Sequence, residues 1–163
     1  NALLQGVIHA APFTPPMDAR GRKDGFNIVY HLNDLGLPAI YSSLHTNAKT
    51  IREHRLTVQR FVAAIAESVR LVEDNPEKAK AAVAKALRVN DEAVLQSSYD
   101  AYAKRHINRR LVVPANAVAE SVEVARENGY KIKKKAPDLI DGSFVENLEK
   151  TGFLKELWGG NVP

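Results

Sequence analysis

Residues 1–17 read NALLQGVIHAAPFTPPM, and this stretch decides the predicted fold. Ala2–Leu4 have the composition of a helix end, and Gly6 supplies the left-handed residue that commonly stops a helix. Val7–Ala11 form a short apolar run that is typical of a buried strand. The three prolines of Pro12–Pro16 then predict a rigid loop at the carboxyl end of that strand. Because ligands bind at the ends of strands in open α/β sheets, this loop is the first candidate site.

The loop offers a small molecule two groups, an aromatic face and a hydroxyl. Pro12, Phe13 and Thr14 present them on a backbone whose prolines restrict φ and remove amide donors. Stacking on Phe13 and a hydrogen bond from Thr14 are typical of a pre-formed small-molecule site. The residues are equally compatible with a tight surface turn in which Phe13 packs into the core. We therefore treat Pro12, Phe13 and Thr14 as candidate ligand-binding residues.

Composition limits the class of protein. With 163 residues, 45% of them hydrophobic and 26% charged, the chain is typical of one globular domain that can bury a core. No apolar run approaches the roughly 20 residues of a membrane span. The absence of cysteine excludes disulfides, thiolate metal sites and cysteine nucleophiles. The sequence also opens without an initiator Met or the regions of a signal peptide, so we expect the carboxyl-terminal part of a larger protein.

Beyond the opening, the pattern predicts a short helix, two further strands and then some five helices. Alternating side chains favour a strand at Phe26–Leu32, and β-rich composition favours another at Ala39–His45. Apolar residues spaced three and four apart predict a long amphipathic helix over Lys49–Glu73. Capping and breaking residues mark the remaining helices, at Met17–Lys23, from Pro76 to Leu87, after Asn90-Asp91-Glu92, from Pro114 to Gly129, and from Ser143 to Gly152.

No catalytic motif with specific spacing is present. The sequence lacks a phosphate-binding loop, a Gly-x-Ser-x-Gly elbow and a His-Glu-x-x-His pair. No two of the five histidines lie three to five residues apart, so a helix face could not present a pair of metal ligands. We expect no enzymatic activity, no metal and no cofactor.

The run Lys131-Ile-Lys-Lys-Lys135 is the feature best suited to nucleic acid, because four lysines can hold phosphates non-specifically. It has no aromatic neighbour beyond Tyr130 and no arginine for reading bases. We therefore expect a solvated connector between two helices and no nucleic-acid partner. A helical interaction domain or a nucleic-acid-binding domain is the alternative class of function.

Several segments together resemble one family. Ala2-Leu-Leu-Gln-Gly-Val-Ile-His-Ala-Ala11 resembles an ALxxGxVDAA segment, and Gly25–Pro38 resembles a strand followed by a DLGxP turn. Further on, Ile51–His54 and Asn75–Ala79 resemble a REHPETVRRFL…NPEEA helix pair, and Asp141–Phe153 resembles a closing LEKSGF segment. In this order the chain is similar to the solute-binding proteins of nitrate, sulfonate and taurine ABC transporters, which group with binders of the thiamine pyrimidine precursor.

This resemblance implies an α/β fold, namely the carboxyl-terminal half of a two-lobed type II periplasmic binding protein. Residues 1–24 would end the second lobe, and residues 25–163 would cross back and complete the first lobe with helices. The missing amino-terminal half of the same protein would be the other partner in the fold. The resemblance places Pro12, Phe13 and Thr14 on a loop at the ligand cleft.

The same resemblance implies a function. The protein would be the periplasmic or otherwise extracytoplasmic solute-binding component of an ABC importer, with a membrane permease as its partner. It would capture a small organic or oxyanion solute between its lobes. His9 stands where the family often has Asp, which leaves the identity of the solute open. Relatives that synthesise the thiamine pyrimidine carry a cysteine-rich motif, which this chain lacks.

Overall fold

The computed structural model describes residues 1–40, 42–105 and 107–160. Regular structure in these residues is helical, and two short 3-10 helices, Leu32–Leu35 and Ala136–Leu139, accompany the α-helices. The α-helices are α1 (Met17–Lys23), α2 (Ala48–Glu53), α3 (Arg55–Asp74), α4 (Pro76–Leu87), α5 (Glu92–Arg105), α6 (Ala115–Glu127), α7 (Ser143–Lys150) and α8 (Phe153–Leu157).

The α/β architecture predicted from the sequence is wrong for the described residues, which contain no strand and no sheet. Val7–Ala11 and Phe26–Leu32 are β-prone in composition, yet neither pairs with a neighbouring strand. The side chain of Val7 is 70% exposed and that of Val29 is 90% exposed. A β-prone segment becomes a strand only where a neighbour completes its hydrogen bonds and offers a surface to pack on.

The third predicted strand, Ala39–His45, is also absent from the described residues, and Tyr41 lies outside them. Because residues 1–40, 42–105 and 107–160 contain no strand, the prediction of a few strands followed by helices is wrong for them, and so is the two-lobed α/β fold. The predicted helices fare better, because α1 and α4 begin and end where the sequence indicated.

The chain divides into two compact units. Unit 1 consists of Asn1–His31 and Val72–Ile107, and unit 2 consists of Leu32–Leu71 and Asn108–Pro163. The expected boundary between lobes after residue 24 stays a prediction.

Helix α5 organises unit 1, because both α1 and α4 pack against it. Its side chains Val94, Leu95 and Ser98 are buried. The Ser98 hydroxyl donates a 2.7 Å hydrogen bond to the Val94 carbonyl, so its burial leaves no polar group unsatisfied. Tyr99 donates a further hydrogen bond of 3.1 Å to the carbonyl of Val72.

A buried lysine joins α4 to α5. Lys80 is 7% exposed, and its Nζ lies 2.6 Å from Glu92, 2.9 Å from Glu77 and 3.1 Å from the side-chain oxygen of Gln96. A buried ammonium is stable only when oxygen atoms replace its lost hydration. Hydrogen bonds to Glu92 and then Glu77 raise the pKa of Lys80.

The start of α5 is fixed by Asp91, as the sequence predicted. Its Oδ1 accepts hydrogen bonds from the backbone N–H groups of Ala93 and Val94, at 3.1 and 3.2 Å. Its Oδ2 pairs with the ammonium of Lys23, at the end of α1. The hydrogen bond to Lys23, followed by that from Val94, lowers the pKa of the Asp91 carboxyl below its ordinary value of 3.8.

We predict that the Asp91–Lys23 pair makes stability depend on acid pH. A carboxyl whose pKa is lower in the folded state stabilises the fold above its unfolded pKa, and this contribution is lost as pH falls through the folded pKa. Asp91→Asn keeps a capping oxygen but removes the charge. The urea midpoint of the wild type should exceed that of Asp91→Asn at neutral pH, and the difference should shrink below about pH 4. A difference that is constant across this range would contradict the assignment.

In unit 2, the long predicted helix Lys49–Glu73 is interrupted. The side chain of Asn47 caps α2 by accepting a 2.8 Å hydrogen bond from the N–H of Thr50. His54 then leaves helical geometry, with φ −131° and ψ 36°, and α3 begins at the next residue. Two helices therefore replace one.

The apolar residues Val58, Phe61, Val62, Ile65, Val69 and Val72 recur at helical spacing and predict one buried stripe, but the buried face of α3 is narrower. Val62, Ala66 and Val69 are buried, whereas Phe61 is 56% exposed. A small residue, Ala66, occupies the most buried position and allows other groups to approach the helix closely. The spacing was read correctly, but the largest side chain of the stripe faces outward.

The core of unit 2 is completed by α6, α7 and α8. Phe144, Leu148, Leu154 and Trp158 are all buried, and α7 packs on α8. The guanidinium of Arg55 lies 4.5 Å from the centroid of the Phe144 ring, within cation–π range. Trp158 is 5% exposed, so its ring is an anchor of this core.

Two arginines flank the ring of Trp158, with Arg70 at 5.6 Å and Arg109 at 5.0 Å from its centroid. Arg70 also donates to the carbonyl of Leu157 at 3.1 Å. Ser143 followed by Glu146 predicts a capping box at the start of α7. Gly142 instead occupies the N-cap and the Ser143 hydroxyl bonds to Asp141, so this box is not formed.

We predict that Leu154 carries a large share of the stability of unit 2. Leu154 is 1% exposed, so Leu154→Ala leaves a cavity and should cost about 2–5 kcal/mol. Leu139 is 47% exposed, and Leu139→Ala in the same unit should change the free energy of unfolding by less than about 0.5 kcal/mol. Urea unfolding followed by circular dichroism measures both. Equal losses of unfolding free energy for the two substitutions would contradict the burial of Leu154 on α8.

Candidate functional site

The candidate site lies in unit 1 and begins with a single turn of helix-like backbone. The N–H of Gln5 donates to the carbonyl of Asn1 at 3.0 Å, and the N–H of Val7 donates to that of Ala2 at 2.9 Å. Gly6 has φ +69°, in the left-handed region that favours glycine. The left-handed conformation of Gly6 ends the turn, as the sequence predicted, and the chain then continues to the proline-rich segment.

The segment Pro12–Pro16 is attached to two helices of unit 1. The carbonyl of Thr14 accepts a 2.8 Å hydrogen bond from the N–H of Met17, the first residue of α1. The hydroxyl of Tyr102, on α5, donates a 2.8 Å hydrogen bond to the carbonyl of Pro15. The peptide bond between Pro15 and Pro16 is cis. Two consecutive carbonyls of the segment, those of Thr14 and Pro15, are thus held by hydrogen bonds from α1 and α5.

Phe13 packs against α1 on one side of its ring. A methyl group placed on Gly21 would lie 2.8 Å from Cε2 and 3.0 Å from Cδ2 of Phe13, closer than carbon atoms approach without displacement. The same position lies 3.8 Å from the ring of Phe26. Phe13 nevertheless remains 42% exposed. The ring therefore combines the two alternatives that the sequence left open, a packed edge and a solvent-accessible face.

Pro12 and Thr14 are both exposed. The Thr14 hydroxyl forms no hydrogen bond with any residue in the described ranges, and it is free to bond to a solute. The site therefore offers an aromatic face for stacking and a neutral hydrogen-bonding group on a restrained backbone. That Pro12, Phe13 and Thr14 contact a ligand stays a prediction.

Tyr102 and Gly21 support this segment, and the sequence did not identify either of them as part of the site. Asp18 lies on α1 next to Met17. Oδ1 of Asp18 is buried and has no hydrogen-bond partner in the described part of the chain. The signal for Gly21 was a glycine inside a predicted helix, which often marks a close approach by another group.

Other candidate features lie elsewhere or do not assemble. His9 is exposed. In the described ranges, no three His, Cys, Asp or Glu side chains gather closely enough to hold a metal ion. None of the described helices is both long and apolar enough to cross a membrane. The lysine run connects α6 to the second 3-10 helix and is exposed, as expected for a solvated connector.

One comparison with known proteins gave a match, and it covers the amino-terminal part of the chain. Residues 1–79 match the family model described as NMT1/THI5 like, the family of nitrate, sulfonate and taurine ABC substrate-binding proteins. The resemblance is therefore confirmed over these residues, just under half of the chain, and it indicates a role in binding a small-molecule solute. For Asp141–Phe153 it stays a prediction. The searches against curated proteins and against solved structures gave no match.

We predict an energetic coupling between Gly21 and Phe13. Alanine is favoured over glycine inside a helix by about 0.5–1 kcal/mol, so Gly21→Ala should stabilise a Phe13→Ala background. In the wild type the new methyl group must displace the Phe13 ring, and the gain should vanish or become a loss. A double-mutant cycle of unfolding free energies measures this difference. Additive effects of the two substitutions would show that the ring does not lie against α1.

Proposed function

We propose that this protein is the solute-binding component of an ABC importer. It binds a small organic or oxyanion solute outside the cytoplasm and presents it to a membrane permease. The family match over residues 1–79 supports this proposal, because the matched range contains the whole of Pro12–Pro16. The proposed role is binding and delivery, without a catalytic step.

In this proposal, Phe13 and Thr14 contact the solute directly. The hydrogen bonds from Met17 and Tyr102 restrain the carbonyls of Thr14 and Pro15 before any solute arrives. A restrained loop loses little conformational entropy on binding, so more of the contact energy appears as affinity. The partly exposed ring of Phe13 suits a planar or aliphatic group, and Thr14 suits an oxygen of a sulfonate, a nitrate or a carboxylate.

We expect isothermal titration of the intact protein that contains these residues to detect binding of at least one solute from a panel of taurine, an aliphatic sulfonate, nitrate and an aminopyrimidine. Phe13→Ala should weaken that affinity by roughly 1–2 kcal/mol through lost stacking, and Thr14→Val by about 1 kcal/mol through the lost hydroxyl. Tyr30→Ala is the matched control, since Tyr30 is an aromatic residue of the same unit that is 55% exposed.

Thermal melting of the same variants separates binding from packing. If Phe13→Ala lowers the melting temperature and leaves the affinity unchanged, and Thr14→Val also leaves it unchanged, the segment is not the binding site. If no solute in the panel binds and the protein instead retains DNA at physiological salt, the alternative class of nucleic-acid-binding domain is supported.

A further inference from the structure

The lysine connector of unit 2, residues 130–135, has a fixed backbone. Arg126, near the end of α6, donates hydrogen bonds of 3.2 Å to the carbonyl of Ile132 and of 3.2 Å to that of Lys134. Nη1 of Arg126 also donates to the carboxylate of Glu123 at 2.6 Å. The N–H of Lys135 donates to Asp138 at 3.3 Å. The guanidinium of Arg126 therefore holds the connector against α6.

This backbone presents its lysines to solvent. Lys131, Lys133, Lys134 and Lys135 are exposed, and Ile132 between them is partly buried. None of the four ammonium groups forms an ion pair with a residue in the described part of the chain. Their positive charge is thus available to an external anionic surface.

Exposed apolar side chains flank the lysines in the sequence. Tyr130, directly before the run, is 69% exposed, and Leu139, at the end of the following 3-10 helix, is 47% exposed. Tyrosine is well suited to the boundary between water and acyl chains, because its ring is apolar and its hydroxyl is polar. Lysines with flexible stems reach lipid phosphates from such a position.

We propose that residues 130–139 dock the protein on a membrane surface that contains anionic lipids. The lysines contact headgroup phosphates, while Tyr130 and Leu139 enter the interfacial layer. A cluster of four lysines is the charge pattern that anionic membranes attract, each lysine near the surface adding to the affinity. Because Arg126 already restrains the backbone, little conformational entropy of the connector is lost on docking.

The same charges could attract nucleic acid, but the surroundings favour a membrane. The four lysines lie within five consecutive positions, which span at most about 14 Å of extended chain and reach only a few phosphates. Single-stranded nucleic acid is held by several stacking aromatic residues, and Tyr130 is the one aromatic residue of this segment. Exposed aliphatic groups such as Leu139 add nothing to phosphate binding and add directly to membrane affinity.

The inference is independent of the proposed solute binding, because it rests on residues of unit 2 and on no contact with Pro12–Pro16. A negative result for membrane docking would therefore leave the proposed solute binding untouched, and the reverse also holds.

The test is co-sedimentation of the protein with vesicles of phosphatidylglycerol and phosphatidylcholine, compared with pure phosphatidylcholine, at about 0.1 M salt. The variant Lys131→Gln, Lys133→Gln, Lys134→Gln removes three charges from the connector. The matched control Lys49→Gln, Lys78→Gln, Lys85→Gln removes three exposed lysines elsewhere, so both variants lose the same charge from a net of +4. Circular dichroism verifies that each variant is folded.

We expect the wild type and the control to bind only the vesicles that contain phosphatidylglycerol. The connector variant should bind these vesicles at least about tenfold more weakly. Tyr130→Ser should weaken binding severalfold, and its remaining binding should be more sensitive to salt. Equal binding by the connector variant and the control would overturn the proposal. So would a wild type that binds single-stranded or duplex DNA at this salt and no vesicles, which would assign the connector to nucleic acid.

Discussion

Packing between α-helices supplies the buried apolar surface of this protein. In the described residues, each buried apolar side chain lies on an α-helix, apart from Trp158 at the carboxyl end of α8. The β-prone segments Val7–Ala11 and Phe26–Leu32 contribute none of this surface. The candidate site therefore depends on helices for its geometry, and one hydrogen bond, from Tyr102 to Pro15, carries the restraint from α5 to the loop.

Residue patterns that act within one or two turns of chain predicted the helices well. Pro76 at the first helical position and the oxygen of Asp91 at a helix start act locally, and α4 and α5 begin as they indicate. The interruption at His54 carries no proline or glycine, and the sequence did not reveal it. Strand formation is a property of pairs of segments, which explains why the composition of Phe26–Leu32 was misleading.

The same distinction applies to the candidate site. Three prolines in five residues are a local signal, and they located Pro12–Pro16 correctly as a restrained segment. The residue that restrains it, Tyr102, lies 87 positions further along the chain. The close approach of Phe13 to Gly21 is also a property of the fold, since a glycine in a helix does not specify which group lies against it. Sequence reasoning therefore found the residues that face the solvent and missed those that position them.

Binding of a solute at the loop between the first turn and α1 can be tested at the level of single residues. Nuclear magnetic resonance tests it most directly, with labels on the ring of Phe13 and the methyl group of Thr14, during titration of the intact protein with the solute that calorimetry identifies. We expect both signals to shift together and to saturate at the calorimetric affinity, while the methyl signals of Leu139 stay unchanged. Saturable binding that shifts signals elsewhere and leaves Phe13 and Thr14 unchanged would contradict it.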